Sequence, residues 1–161
     1  MKPAGFAVIL LMLLFSSCRK SGELSPSDRA VITKDVQLVL TSMSDSLQAN
    51  GLTGWIPFLH NSRDFTWEFN GAPSSYDTLI ANMRNEAALF RSITLRWESV
   101  QIEPLNEHEA HVVAKYNETV IDANGVQYIL RGSVDCTLDK VDGSWKFKSG
   151  RTLTDAKSMS R

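Results

Sequence analysis

The chain has 161 residues, with 17 Lys and Arg against 18 Asp and Glu, a formal net charge of −1 and 43% hydrophobic residues. That is one domain's worth of chain, enough to bury an ordinary core unaided. A near-neutral balance gives no electrostatic case for nucleic acid, and the sequence holds no Ser-His-Asp set, phosphate loop or dinucleotide fingerprint. At the start, Lys2 supplies a positive charge, Phe6 to Phe15 is an unbroken apolar run, and Ser16 and Ser17 are small. This is the layout of an export signal, and the run is short of the roughly 20 apolar residues that a spanning helix needs.

Cys18 stands directly at the cleavage point. The string Leu14-Phe15-Ser16-Ser17-Cys18 resembles the lipobox of bacterial lipoproteins, with Phe15 where Leu is more usual. The resemblance implies that residues 1–17 are a signal peptide and that Cys18 is the lipidated first residue of the mature protein. It also implies anchoring to a membrane of the bacterial cell envelope, facing the periplasm or the exterior. Several acyl chains on one Cys hold firmly where a single chain does not. Removing the leader takes away one base and no acid, so the mature net charge is −2. Two cysteines in an exported chain would ordinarily suggest a disulfide. With Cys18 acylated, Cys136 is left alone and reads as a small buried hydrophobe within a strand. His60, His108 and His111 are dispersed and no CxxC is present, so neither a metal site nor a cofactor is expected.

Residues 18–26 are polar and form a tether. Ser25-Pro26-Ser27-Asp28 is a helix start with a Ser cap and an acid in the first turn. The helix runs to about Asn50, with Val36, Leu40, Met43 and Leu47 on one face, and Asn50-Gly51 ends it. Thr53 to His60 predicts a short second helix, its Pro57 near the first turn. Asp64 to Asn70 alternates, Phe65, Trp67 and Phe69 against Thr66 and Glu68, as in a half-buried strand. After a turn at Gly71-Ala72-Pro73, Ser74 and Asp77 form a capping box for a third helix. Its stripe is Tyr76, Leu79 or Ile80, Met83, Ala87 and Phe90. The rest is β. Ile93, Leu95 and Trp97 alternate, then Val100 and Ile102 shift phase, which predicts a bulge near Glu98-Ser99. Ala110 to Ile121 is a long strand, Asp122-Ala123-Asn124-Gly125 a hairpin turn, Val126 to Asp139 the return. Asp142-Gly143 makes a second hairpin before a strand with Trp145 and Phe147.

This order, with Gly51, Asp64-Phe65-Thr66-Trp67, Gly71, Ser133-Val134-Asp135-Cys136-Thr137-Leu138 and Asp142-Gly143-Ser144-Trp145-Lys146, resembles the nuclear transport factor 2-like superfamily. It is most similar to the SnoaL-like, ketosteroid-isomerase-related branch, over about residues 27–155, leaving 156–161 as a tail. The resemblance implies an α+β, cone-shaped half-barrel: three N-terminal helices packed on a curved antiparallel sheet, with a pocket at the wide end. It does not imply an activity, because one fold hosts many. Glu68, three residues before Gly71, stands where the isomerases similarly place a proton-abstracting carboxylate. Asp135, eight before Gly143, stands where they place an acid that donates to the substrate oxygen. Their phenol on the first helix is replaced here by Ser44, so half of the oxyanion hole is missing.

Alternation bears on those acids. Glu68 points away from the Phe65/Trp67/Phe69 face, and Asp135 points away from Val134, Cys136 and Leu138. If the apolar faces form the core, both acids are solvated or in a polar interface. If the sheet is apolar outside because it dimerises, both line the cavity, with Arg131 near to pair Asp135. The residues leave both arrangements open. Trp55, Trp67, Met83 and Trp97 are the candidate rim of a pocket for a small apolar or ring-shaped ligand. Asn117-Glu118-Thr119 matches a glycosylation sequon and reads as incidental in a bacterial lipoprotein. The functional reading is a membrane-tethered ligand-binding or interaction module. The alternatives are a small-molecule isomerase or lyase using Glu68 and Asp135, and a structural homodimer that pairs sheet faces.

Overall fold

A computed structural model of the protein describes residues 23–155. The expected signal peptide, the expected lipidation site at Cys18, most of the expected tether and the tail at 156–161 lie outside the described residues. The first helix, α1 (Pro26–Asn50), starts at the Ser25 capping box: the Ser25 side chain accepts from the Asp28 backbone and Asp28 returns the bond. Ile32, Val36, Leu40, Met43 and Leu47 are its buried stripe. The expected second helix is a 3₁₀ helix, Gly51–Phe58. It lies against α1 so closely that a Cβ on Gly54 would come within 2.2 Å of the Ser46 carbonyl oxygen. Only glycine fits there.

Next come β1 (Thr66–Phe69), β2 (Ala72–Ser74) and α2 (Tyr76–Glu86). The cap of α2 is Ser75, which accepts from the Thr78 backbone, one residue later than the expected Ser74. Ser74 is instead the end of β2, a short strand absent from the sequence reading; its Pro73 is tolerated because β2 is at the sheet edge. α2 gives way to a 3₁₀ turn at Ala87–Leu89, so Phe90 opens the next strand and does not extend the helical stripe.

Four long strands complete the chain: β3 (Phe90–Asn106), β4 (Glu109–Asp122), β5 (Gln127–Val141) and β6 (Ser144–Thr154). The six strands form one sheet in the order β2-β1-β6-β5-β4-β3. The sheet is mixed, and this corrects the antiparallel expectation: β1 runs parallel to β6, with Trp67 opposite Gly150. A β1 that must return across the whole chain to meet the last strand can pair in either direction, and local pattern does not decide between them. The bulge at Glu98 is present, where the register steps from Trp97↔Tyr116 to Ser99↔Lys115. Further steps occur at Arg91, Leu105 and Lys148. Bulges bend long strands, and these curl the sheet around the helices. The result is a cone, α+β, with α1, the 3₁₀ helix and α2 on its concave side. The concave face carries Trp67, Val112, Leu138, Cys136 and Phe147, each nearly inaccessible. Cys136 is a buried free thiol whose pKa burial pushes up.

Candidate functional site

A cavity of about 110 Å³ opens in the concave side of the sheet. Each element contributes by its periodicity. α1 brings Met43 and Leu47 from its buried stripe, and the 3₁₀ helix brings Trp55. β1 brings Trp67 and Phe69, while β3 brings Leu95 and Trp97. β4 brings Tyr116 and Glu118, and β5 and β6 add Val134, Phe147 and Thr152. Trp55 stands edge-on to Trp67, centroids 4.9 Å apart and planes at 85°, and 6.1 Å from Phe147. Edge-to-face pairs of this kind are favourable beyond the area they bury.

Polar groups in this apolar wall are few, and most are engaged. The Trp67 indole donates to the Thr152 hydroxyl at 3.0 Å, and the Trp97 indole to the Leu40 carbonyl at 3.2 Å. Tyr116 shares a 3.1 Å bond with the Thr154 hydroxyl, and burial raises its pKa. Glu118 is different. Register places it between Leu95 on β3 and Leu130 on β5. Among the described residues it has no hydrogen bond and no ion pair, and desolvation pushes its carboxyl up to about 7. Among the described residues no Lys, Arg or His lines the cavity. The Trp55 indole N–H is buried without an acceptor.

Glu118 is the residue that sequence reasoning missed. The signal was present: Ala110, Val112, Ala114 and Tyr116 alternate inward, and Glu118 continues their phase. Glu118 is half-buried, and a carboxylate turned to the core side of a strand is an informative exception.

The convex face holds the two acids singled out from the sequence. Glu68 and Asp135 line one shallow depression with His111, Thr137, Ser149 and Arg151. Asp135 shares a 2.7 Å bond with His111 Nε2 and accepts one of 2.7 Å from Arg151 Nη2. The His111 bond first, then Arg151, holds its carboxyl below the ordinary range. The partner of Asp135 is thus Arg151, across the β5–β6 pair, and not Arg131. The structure brings the two acids to one surface but on the opposite side of the sheet from the cavity. Of the four expected rim residues, Trp55, Trp67 and Trp97 line the cavity; Met83 is buried in the core on α2 and does not. Ser44 donates to the Leu40 carbonyl within α1.

The cone and its inward-facing cavity define the fold class: it is that of the nuclear transport factor 2-like proteins, including SnoaL-like and scytalone dehydratase-like members. A protein described as a scytalone dehydratase from Novosphingobium aromaticivorans superposes with a TM-score of 0.75 at 18% identity, over 85% of this chain and 93% of that one. A nuclear transport factor 2-like superfamily protein from Salmonella enterica gives 0.68 at 12% identity, over 80% of this chain and 94% of that one. The hexachlorocyclohexane dehydrochlorinase LinA-type3 from Novosphingobium barchaimii gives 0.65 at 10% identity, over 81% and 91%. No protein-family model matches the sequence, and no curated protein matches it significantly. Among the described residues no helix is long and apolar enough to cross a membrane.

Proposed function

We propose that the protein is a binding module for a small ring-bearing ligand, held at a membrane through lipid on Cys18, and that the ligand occupies the concave cavity. The observation that carries the binding reading is the cavity itself: about 110 Å³, walled by Trp55, Trp67, Trp97 and Phe69, with one unpaired carboxyl. Ligand sites are mostly apolar with a few placed polar groups, and a cavity of this order accommodates one aromatic ring. Membrane attachment is supported by the order of charge, apolar run, small residues and Cys in residues 1–18.

Two measurements test these parts separately. Benzyl alcohol titrated into the protein produces a saturable change in tryptophan fluorescence, and Leu95→Trp, which fills the cavity, abolishes it; no saturable change in the wild type contradicts the site. A Cys18→Ala variant moves from the membrane to the soluble fraction; a variant that stays on the membrane contradicts the anchor.

One observation favours a second reading, proton transfer. Glu118 is a carboxyl poised near neutrality inside an apolar cavity, as a general base is. Two of the structural relatives are named as a dehydratase and a dehydrochlorinase, which are lyase names. On this reading the protein accelerates deuterium uptake at the methyl group of acetophenone in heavy water, and Glu118→Gln stops it. No acceleration by the wild type removes the reading. Glu68 and Asp135 take no part in it.

A further inference from the structure

We infer that the ligand of the concave cavity is an organic cation, a single ring or compact apolar group bearing an ammonium, whose charge pairs with the Glu118 carboxylate and is flanked by the tryptophan rings. This rests on the binding reading above and adds the chemical class.

Charge comes first. Among the described residues Glu118 is the only charged side chain in the wall, and neither Lys, Arg nor His is there to answer it. Two acids on the convex face have cationic partners: Asp135 has Arg151 and His111, and Asp139 has Lys148 at 3.0 Å. A desolvated carboxylate without a partner is costly, and the cost is relieved when an opposite charge arrives. An anionic ligand would meet one negative group and no positive one. The cavity therefore selects against anions and in favour of cations.

The wall points the same way. Indole rings carry negative faces that attract ammonium groups, tryptophan most strongly. Trp55, Trp67 and Trp97 all line the space, with Trp55 edge-on to Trp67. Engagement of most other polar groups sharpens the choice. The Trp67 and Trp97 N–H groups and the Tyr116 hydroxyl already have partners within the protein, and the Trp55 N–H, which has no acceptor, carries no formal charge. The carboxyl of Glu118 has none, and it offers a charge that complements an ammonium.

Proton linkage follows. Glu118 changes charge near pH 7, and a cation binds its ionised form. Its neighbours are mostly apolar: β3 presents Leu95 and Trp97, β5 places Leu130 opposite, α1 presents Met43 and Leu47, and β4 adds Val120 and Tyr116, whose pKa is raised and which also feels the charge of Asp155. Affinity for a cation accordingly rises between about pH 6 and pH 8, and binding below neutrality releases a proton.

The test is calorimetric titration of the full chain with benzylammonium and with benzyl alcohol, its neutral counterpart of similar size. At about pH 8 benzylammonium binds roughly tenfold or more tightly than benzyl alcohol. In Glu118→Gln the cation loses that advantage while benzyl alcohol keeps its affinity. Near-UV circular dichroism checks that the variant is folded, and Glu118→Met serves if Gln is not. Equal or tighter binding of benzyl alcohol, or indifference of the cation to Glu118 substitution, overturns the cation class and leaves the cavity reading standing. Binding of neither probe overturns both.

Discussion

Glu118 and Asp135 lie on neighbouring strands of one sheet, but their carboxyls are driven in opposite directions. On the concave face Glu118 sits among Leu95, Trp97 and Met43 with no partner, and desolvation raises it to about 7. On the convex face Asp135 is bonded to His111 and Arg151 at 2.7 Å each, and those bonds lower it. The difference between these two acids comes from which way the strand turns them. The partnered acid on the solvent side is electrostatically satisfied. Among the described residues the acid on the core side has no partner, and this makes the concave face the place to look for a ligand.

The largest way to break this comparison is to remove the wall that makes the concave face apolar. Trp67 is fully buried and packs against Trp55 and Phe147. Trp67→Ala is expected to lower stability by about 3–5 kcal/mol in chemical denaturation. A smaller effect is expected from Gly150→Ala. A Cβ there would come within 2.8 Å of the Trp67 ring and 2.6 Å of the Cys136 Cβ, so the indole or the strand must shift. Overpacking of this kind lowers stability by about 1–3 kcal/mol, and the shift is visible in the tryptophan fluorescence that reports on the cavity.

Third is the pH dependence of Glu118. Its folded pKa, about 7, lies above its ordinary value of 4.5, so the native state holds the proton more tightly than the unfolded state. Stability therefore falls as pH rises from about 4.5 to about 7 and stays reduced above it. Glu118→Gln flattens that part of the profile and stabilises the protein at pH 8 by on the order of 1–2 kcal/mol. An unchanged profile would mean that the carboxyl is not desolvated. The smallest effect belongs to the convex face. Asp135 has a lowered pKa, so its contribution is present above the unfolded carboxylate range and is lost as acid protonates it in the folded protein. With the Asp135 and Arg151 side chains 35% and 58% exposed, Asp135→Asn lowers stability by less than about 1 kcal/mol and leaves cavity binding unchanged. A loss of probe binding in that variant would join the two faces and undo the comparison.

How much of this was legible in the sequence depended on distance along the chain. The Ser25 cap, the α1 stripe, the Glu98 bulge and the hairpins rest on residues a few positions apart, and local chemistry decided them. Phe65-Trp67-Phe69 against Glu68 correctly separated the two faces, because strand alternation needs no knowledge of the partner. The parallel pairing of β1 with β6 was not legible, since Trp67 and Gly150 meet only through the whole topology. The same limit applied to Met83: helical spacing marks it as buried without saying whether it faces a cavity or packed core. Glu118 was within reach, in phase with Tyr116, but alternation alone does not say whether a carboxyl on the core side finds a partner there.

The most direct test of the central claim is a carboxyl-carbon NMR titration of Glu118 in the full chain, alone and with benzylammonium. The expected result is a midpoint near 7 in the free protein and a downward shift when the cation binds. A midpoint at the ordinary 4.5, unmoved by the cation, would contradict it.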